Sequence, residues 1–513
     1  MKYRTWLFWG ILAIAGCLRF YHLKAVPPGL FLDEASIAYN AWSISRWARD
    51  EQANFLPLSF VSFGDYKPPG VIYVLAIAYR FFGFHWLWVR YLAALSGVGS
   101  VILAFLITQE LGKIGWLQSH WRWWIPYLVM FGLALSPWGV TLSRVGFEQS
   151  TAFFLVNLSI LGLLKGLKCP PWWLGSGLAI AASLYVFHTA KIFWLGFLPF
   201  FGFIFRQPLS GHSRWLKLSG GLLLLLSLPL VVDALGGKGL ARSETLIFFT
   251  KFGVWNDFRT SLQELGGNII RELAPEFWLR GNDAVSWRHS VKGHGLITPI
   301  GWALMWLGIL IGLKNWRQRV NQLLLGWWGL GLTPAILTHL TPHALRSLFA
   351  LTPAVIWATV GLISLSDWIR QKSVKLARVT LGLIGGVYLM AVAAYLKTYY
   401  QSYPTSAAQD FLYGYDQIVV LTNQYRNQAE KIVVSDVYGQ PYIYFLVYNQ
   451  IEPKDYLYGA LNQYEFGPVK WAEHREKRLY VASPSEIPLT DPTVIKVIMI
   501  PGTEKPLWVV ART

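Results

Sequence analysis

Cysteine is almost missing from this chain: only Cys17 and Cys169 occur, so no disulfide framework can be drawn. Charge is scarce as well. Charged residues make up 14% of the sequence, where soluble domains average about 25%. Acid is the scarcer sign, with 27 Asp and Glu against 45 Lys and Arg. A soluble protein of net charge +18 would suggest nucleic acid. Here the basic excess sits largely in short segments between apolar runs, the distribution of a chain threaded through a membrane, so no nucleic-acid partner is expected. No solenoid-period repeat and no low-complexity tract stands out either.

What the chain has is apolar length: 54% of its residues are hydrophobic. Runs near the ~17 to 25 residues that a span requires fall at 5–21, 86–109, 124–140, 151–164, 172–187, 192–205, 216–235, 297–313, 323–340, 344–365 and 379–396. The motif Ile14-Ala15-Gly16-Cys17 has the look of a lipoprotein cleavage site, but small-residue runs are frequent in membrane helices, and an uncleaved first helix is the simpler reading. A further apolar piece, 71–84, reads as a helix lying along the interface rather than crossing. With that choice Lys2, Arg4, Lys165, Lys168, Arg206, Arg214, Lys314, Arg317, Arg370 and Lys372 gather on one side, as the positive-inside rule demands. The expected fold is therefore mainly α. It is a polytopic helical bundle of about 11 to 13 membrane helices, with the N-terminus cytoplasmic and the C-terminus external or periplasmic.

Two long loops then lie outside, 23–85 and 236–296, with short turns around 144–148, 188–191 and 339–346. Residues 33–51 read as an amphipathic helix in the interface, its tryptophans at headgroup depth. From about residue 397 the composition becomes that of a small soluble domain. Helix-like stretches at 407–425 and 439–449 alternate with β-rich runs at 431–434, 479–482, 494–500 and 507–510. The expected division is a membrane domain over 1–396 and a small external α/β domain over 397–513.

The first long loop holds the most distinctive polar residues. It opens with Pro-Pro-Gly-Leu-Phe-Leu-Asp-Glu, ending in Asp33 and Glu34, and continues to Asp-Tyr-Lys-Pro-Pro-Gly, centred on Tyr66 and Lys67. Two carboxylates beside a span can merely solvate the loop and favour a helix start. Lys67 alone can merely anchor the following helix. Their company strengthens a functional reading. A lysine fixed by two prolines at headgroup level can pair with a lipid phosphate. Arg144, Lys191 and Arg346 stand in external turns with His188, His339 and His343, and the second loop adds Arg280, Arg288, His289, Lys292 and His294. Basic groups on that face call for an anionic partner such as a phosphate. The set suits sugar transfer from a polyprenyl-phosphate carrier, whose phosphate leaves without a general acid while Lys and Arg stabilise its charge. A carboxylate serves as base toward the acceptor hydroxyl.

The order of first span, Phe-Leu-Asp-Glu, amphipathic helix, Tyr-Lys-Pro-Pro-Gly, apolar run and Arg90 resembles the GT-C glycosyltransferases. The resemblance is strongest to the branch holding protein O-mannosyltransferases and lipid A aminoarabinose transferases. In architecture it covers roughly 5–396; its specific motifs lie within 31–90. It implies an inverting hexosyl- or pentosyltransferase with Asp33 as catalytic carboxylate and Glu34 as its neighbour, shaping the acceptor or an ion site. Lys67 meets the donor phosphate, helped by Arg144 and Arg346, and by their external placement Lys191 and His343 are expected to bind it as well. Tyr66, Arg288, His289 and His294 form the substrate loop. No cofactor is required by the resemblance, which leaves room for a divalent cation, Mg or Mn, at Asp33 and Glu34. Glycine stands at position 70, where the family often has leucine. The expected partners are a polyprenyl-phosphate sugar donor, membrane lipids and an acceptor that the sequence does not reveal. The main alternative is a transporter or lipid flippase, which would place its notable charges at the midplane and often show inverted repeats. A polymer ligase or polymerase would lack the first-loop pair. A non-catalytic scaffold would have no use for so many basic turns.

Overall fold

The computed structural model describes residues 2–114, 119, 121–236, 258–284 and 287–513. Part of the expected second loop, 237–257, lies outside the described residues. The chain divides into two compact units, and both are discontinuous: residues 1–21 with 90–397, and residues 22–89 with 398–513. The units meet at residues 21/22, 89/90 and 397/398. The first long loop, expected with the membrane domain, groups with the C-terminal segment instead.

The first unit is helical, and its chemistry is that of a membrane protein. Helices Trp88–Lys113, Ser213–Leu235 and Val374–Gln401 are long and apolar enough to cross a bilayer, as is the helical stretch Leu348–Lys372. Shorter apolar helices include Ile125–Leu135, Trp172–Val186, His188–Ile204 and Pro299–Lys314. Helix Ser213–Leu235 buries none of its residues, and Leu224, Leu225, Leu228 and Leu235 all point outward. A helix of 23 residues whose long leucine-rich stretch is left uncovered has lipid as its solvent on that side. The protein is therefore an integral membrane protein.

One expected span is not continuous. Over 124–140 the chain forms helices Ile125–Leu135 and Pro137–Leu142, broken at Ser136. Pro137 has no amide to donate, so it starts a new helix at its first position, and the Ser136 hydroxyl caps that helix by accepting from the Gly139 amide at 3.4 Å. Elsewhere in this unit, helix Pro299–Lys314 and helix Leu351–Lys372 cross at backbone contact. A Cβ on Gly308 would come within 2.0 Å of the Trp357 carbonyl oxygen, and one on Gly361 within 2.0 Å of that of Leu304. Only glycine permits this crossing.

The second unit holds helix Leu32–Trp47, a short hairpin, helix Gly70–Phe82 and an α/β layer. In the hairpin, β1 (Phe60–Ser62) pairs antiparallel with β2 (Asp65–Lys67), Phe60 opposite Lys67. The α/β layer is a five-stranded sheet in the order β4-β3-β5-β7-β6. Its strands are β3 (Lys431–Val434), β4 (Tyr464–Phe466), β5 (Arg478–Ala482), β6 (Val494–Met499) and β7 (Pro506–Arg512). β3 runs parallel to β4 and β5, while β7 is antiparallel to β5 and β6. Four of these strands match the expected β-rich runs; β4 and the hairpin do not appear among them. The helix expected at 407–425 begins only at Tyr415.

The interfacial helix is the main departure from expectation. Helix Leu32–Trp47 does not lie on a surface with its tryptophans outward: Glu34 through Ile44, eleven consecutive residues, are buried. Ala35, Ser36, Ala38, Ala41 and Ser43 are small enough for neighbours to close in from every side. Trp42 stacks on Phe84 with ring centroids 4.6 Å apart. The Tyr39 hydroxyl donates to the Ile451 carbonyl at 3.0 Å, and a Cβ on Gly29 would meet the Phe411 carbonyl oxygen at 2.4 Å. These contacts draw the loop and the C-terminal segment into one unit.

Candidate active site

Asp33 stands in the first turn of helix Leu32–Trp47, where aligned backbone dipoles favour a carboxylate. Glu34, one residue later, turns back: its Oε2 accepts from the Phe31 amide at 3.0 Å, so it caps the helix and is fully buried. Lys67 ends β2, held by the hairpin and followed by Pro68 and Pro69 before the next helix begins. Its ammonium donates to the Asp33 carboxylate. The lysine side chain is 5% exposed and the aspartate 35%. Two residues 34 apart in sequence thus form one ion pair whose cation is buried and whose anion still faces outward. Tyr66, beside it, is half-buried.

Behind this pair a polar seam follows the helix at positions 33, 36 and 40. The hydroxyls of Ser36 and Ser62 lie 2.7 Å apart, tying helix to hairpin. The Asn40 amide group donates to the Ser36 carbonyl at 3.1 Å and to Glu51 at 3.3 Å, while its oxygen accepts from the Glu51 amide at 3.0 Å. Tyr442 donates to the same Glu51 carboxylate at 3.1 Å. Burial pushes Glu51 up to about 7, with the neighbouring charge of Asp50 adding to it. Sequence reasoning did not single out Asn40, Glu51 or Tyr442. The spacing 33, 36, 40 was a signal for the first, whereas Tyr442 is 391 residues from Glu51 and had none.

In the membrane unit the expected cations have different surroundings. Arg144 is completely buried, and its guanidinium donates at 2.7 Å to both the Leu18 and Tyr21 carbonyls, closing the end of the first helix. Lys191 is half-buried in the first turn of helix His188–Ile204. Arg288 is half-buried, and Arg280 and Lys292 are exposed. His294 packs against the Tyr395 ring, centroids 6.1 Å apart.

His343 and Arg346 belong to a buried cluster that sequence reasoning did not assemble. Glu272 accepts from the His343 amide at 3.1 Å and from the Ser347 hydroxyl; burial pushes its carboxyl up to about 8. Asp283 accepts from the Ala344 amide at 2.7 Å, and its other oxygen lies 3.5 Å from Nδ1 of His289. Burial opposes ionisation of Asp283, but His289, then His343 and the Ala344 amide, hold its carboxyl below the usual carboxylate range. Burial, followed by Arg346 and His289, pushes the His343 imidazole down. The rings of His289 and His343 stack 4.7 Å apart. The signal was hidden because His343 lies more than fifty residues from its partners.

No protein-family model matches the sequence, nor does any curated protein at a significant level. Solved structures do match. ArnT from Cupriavidus metallidurans in the apo state aligns with a TM-score of 0.55 and 13% identity, covering 99% of this chain and 98% of that one. The same protein bound to undecaprenyl phosphate aligns at 0.54 and 11%. The fold is of the GT-C type. A second GT-C protein, the oligosaccharyltransferase AglB from Archaeoglobus fulgidus in complex with an inhibitory peptide and a dolichol-phosphate, aligns at 0.54 and 13% over 87% of this chain. This chain spans 63% of that protein's length. At such identities the likeness establishes the GT-C fold alone.

Proposed function

We propose that this protein is a membrane glycosyltransferase that moves a sugar from a polyprenyl-phosphate donor to an acceptor hydroxyl, with inversion at the anomeric carbon. The observation that carries the reading is the Asp33 and Lys67 pair, brought together across 34 residues on a buried, capped scaffold. The GT-C neighbours support the donor class, since one is bound to undecaprenyl phosphate and another to a dolichol-phosphate.

In this mechanism Asp33 takes the proton of the acceptor hydroxyl as that oxygen bonds to the anomeric carbon. The bond from that carbon to the phosphate oxygen breaks, and its electron pair leaves with the polyprenyl phosphate. Lys67, already desolvated, stabilises the charge that builds on the phosphate; in the resting protein Asp33 occupies it. The ion pair thus orients the base and keeps the buried ammonium compensated until the donor arrives.

The test is transfer by the purified protein from a polyprenyl-phosphate sugar to an acceptor extract. Asp33→Asn, which keeps a hydrogen-bond acceptor for Lys67, should lower turnover at least about 100-fold while the protein still folds. Normal turnover by that variant would remove Asp33 as the base. Lys67→Ala should cost about 100-fold or more in kcat, with Lys67→Arg retaining part of the activity.

A further inference from the structure

The membrane unit contains a second constellation, independent of the proposed transfer chemistry. Asp283 and His289 come from the segment after helix Pro275–Arg280, and His343 from the turn that precedes helix Leu351–Lys372. One ligand atom from each lies within 4.8 Å of the others, and all three residues are buried. Asp283 is fixed by the Ala344 amide, which ties the loop to the turn. Nδ1 of His289 and Nδ1 of His343 are both buried and make no hydrogen bond. A buried polar atom left unpaired is destabilising, and two beside one carboxylate call for a common partner.

We propose that Asp283, His289 and His343 are the ligands of a zinc ion. Two imidazoles and a carboxylate are donors that a borderline divalent ion prefers, whereas Mg and Ca favour oxygen alone. Ligand atoms around tetrahedral zinc stand roughly 3.3 Å apart, given bond lengths of about 2.0 to 2.1 Å. The contact of Asp283 with His289 is already 3.5 Å. The stacked imidazoles must splay apart for both to reach the ion, and neither Nδ1 has a hydrogen bond to lose in doing so. Charge around the site is mixed: Arg346 opposes a cation, while the Asp283 carboxylate favours one. Glu272 also holds the amide of His343, so the backbone carrying that ligand is anchored from outside the site. Three protein ligands leave a fourth position for water or an anion. In this arrangement the ion clamps Asp283 and His289 onto the turn at 339–347, where the Ala284 amide already donates to the Pro342 carbonyl at 2.9 Å.

Metal analysis of the purified full-length protein tests this without reference to activity. After chelator treatment and zinc reloading, the wild-type protein should hold about one zinc per chain. His289→Ala, His343→Ala and Asp283→Asn should each hold less than about a fifth of that, while His474→Ala, in the C-terminal sheet unit, keeps it. Chelator should lower the melting temperature of the wild type, and zinc but not magnesium should restore it. Cobalt(II) loaded into the wild-type protein should give the intense visible bands of a tetrahedral nitrogen and oxygen site, a readout that holds even if a variant fails to fold. Zinc binding in His343→Ala equal to wild type, no zinc uptake by the wild type, an octahedral cobalt spectrum, or equal stabilisation by magnesium would each overturn the proposal.

Discussion

Glu34 and Asp33 are adjacent in sequence and have opposite circumstances. Asp33 pairs with the buried Lys67 and stays partly exposed, whereas Glu34 folds back on the Phe31 amide and is buried. A capping role needs an acceptor oxygen but no charge. Glu34→Gln should therefore keep most of the stability and transfer activity, while Glu34→Ala should lose about 0.5 to 2 kcal/mol of stability; melting temperatures and turnover of the two variants separate these outcomes. Glu51 sets a pH dependence of its own. Folded, it holds its proton until about pH 7, against 4.5 for an unperturbed group. Below pH 4.5 both states are protonated and burial costs nothing extra. As pH rises through the interval to 7 the unfolded chain releases its proton first, so stability falls by about 3 kcal/mol and then levels off. Glu51→Gln should abolish that fall and be the more stable protein at about pH 8, as melting curves from about pH 4.5 to 8 would show. Asp33, Glu34 and Lys67 were legible because they share one polar stretch in an apolar chain. Asn40, Glu51 and Tyr442 were not, because a buried hydrogen-bond seam has no composition signature of its own.

At the scale of elements, period and hydropathy located the apolar runs well, and failures occurred where backbone chemistry overrode composition. Ser136 and Pro137 divide one apolar run into two helices because proline cannot donate and serine caps the second of them. Helix Leu32–Trp47 carries tryptophans among polar residues, the pattern of a surface helix, yet its small residues admit neighbours on all sides. Amphipathic pattern reports polarity, not whether another element covers the polar face. Glycine was legible only as permission. The crossing of helices Pro299–Lys314 and Leu351–Lys372 makes it a requirement, because an added Cβ at either Gly308 or Gly361 would strike backbone rather than a movable side chain. Gly308→Ala should destabilise the protein by about 1 to 3 kcal/mol through forced separation of the two helices, visible as a lower melting temperature in detergent. Gly382→Ala, in open space, is the neutral comparison.

At the scale of the whole molecule, the interleaving of the chain is what the sequence concealed. A composition change marked the boundary at 397, but nothing in it announced that residues 398–513 fold with residues 22–89. The long-range contacts responsible, such as Tyr39 with Ile451 and Tyr442 with Glu51, join residues about 400 apart and leave no local period. Removal of 398–513 should consequently do more than delete an appended domain. It should strip partners from helix Leu32–Trp47, open that helix to proteolysis within 22–89, and abolish transfer through loss of the Asp33 and Lys67 geometry. Protection of the loop in the truncated protein, assayed by limited proteolysis, would contradict this. The same discontinuity imposes a schedule on biogenesis. Residues 22–89 emerge early, yet their partner begins roughly 300 residues later, which at ~5 to 20 residues per second means a wait of roughly 15 to 60 s. For that interval the helix bearing the proposed base stands exposed with eleven side chains destined for burial, and quality control in the cell meets this protein first at the element on which its chemistry depends.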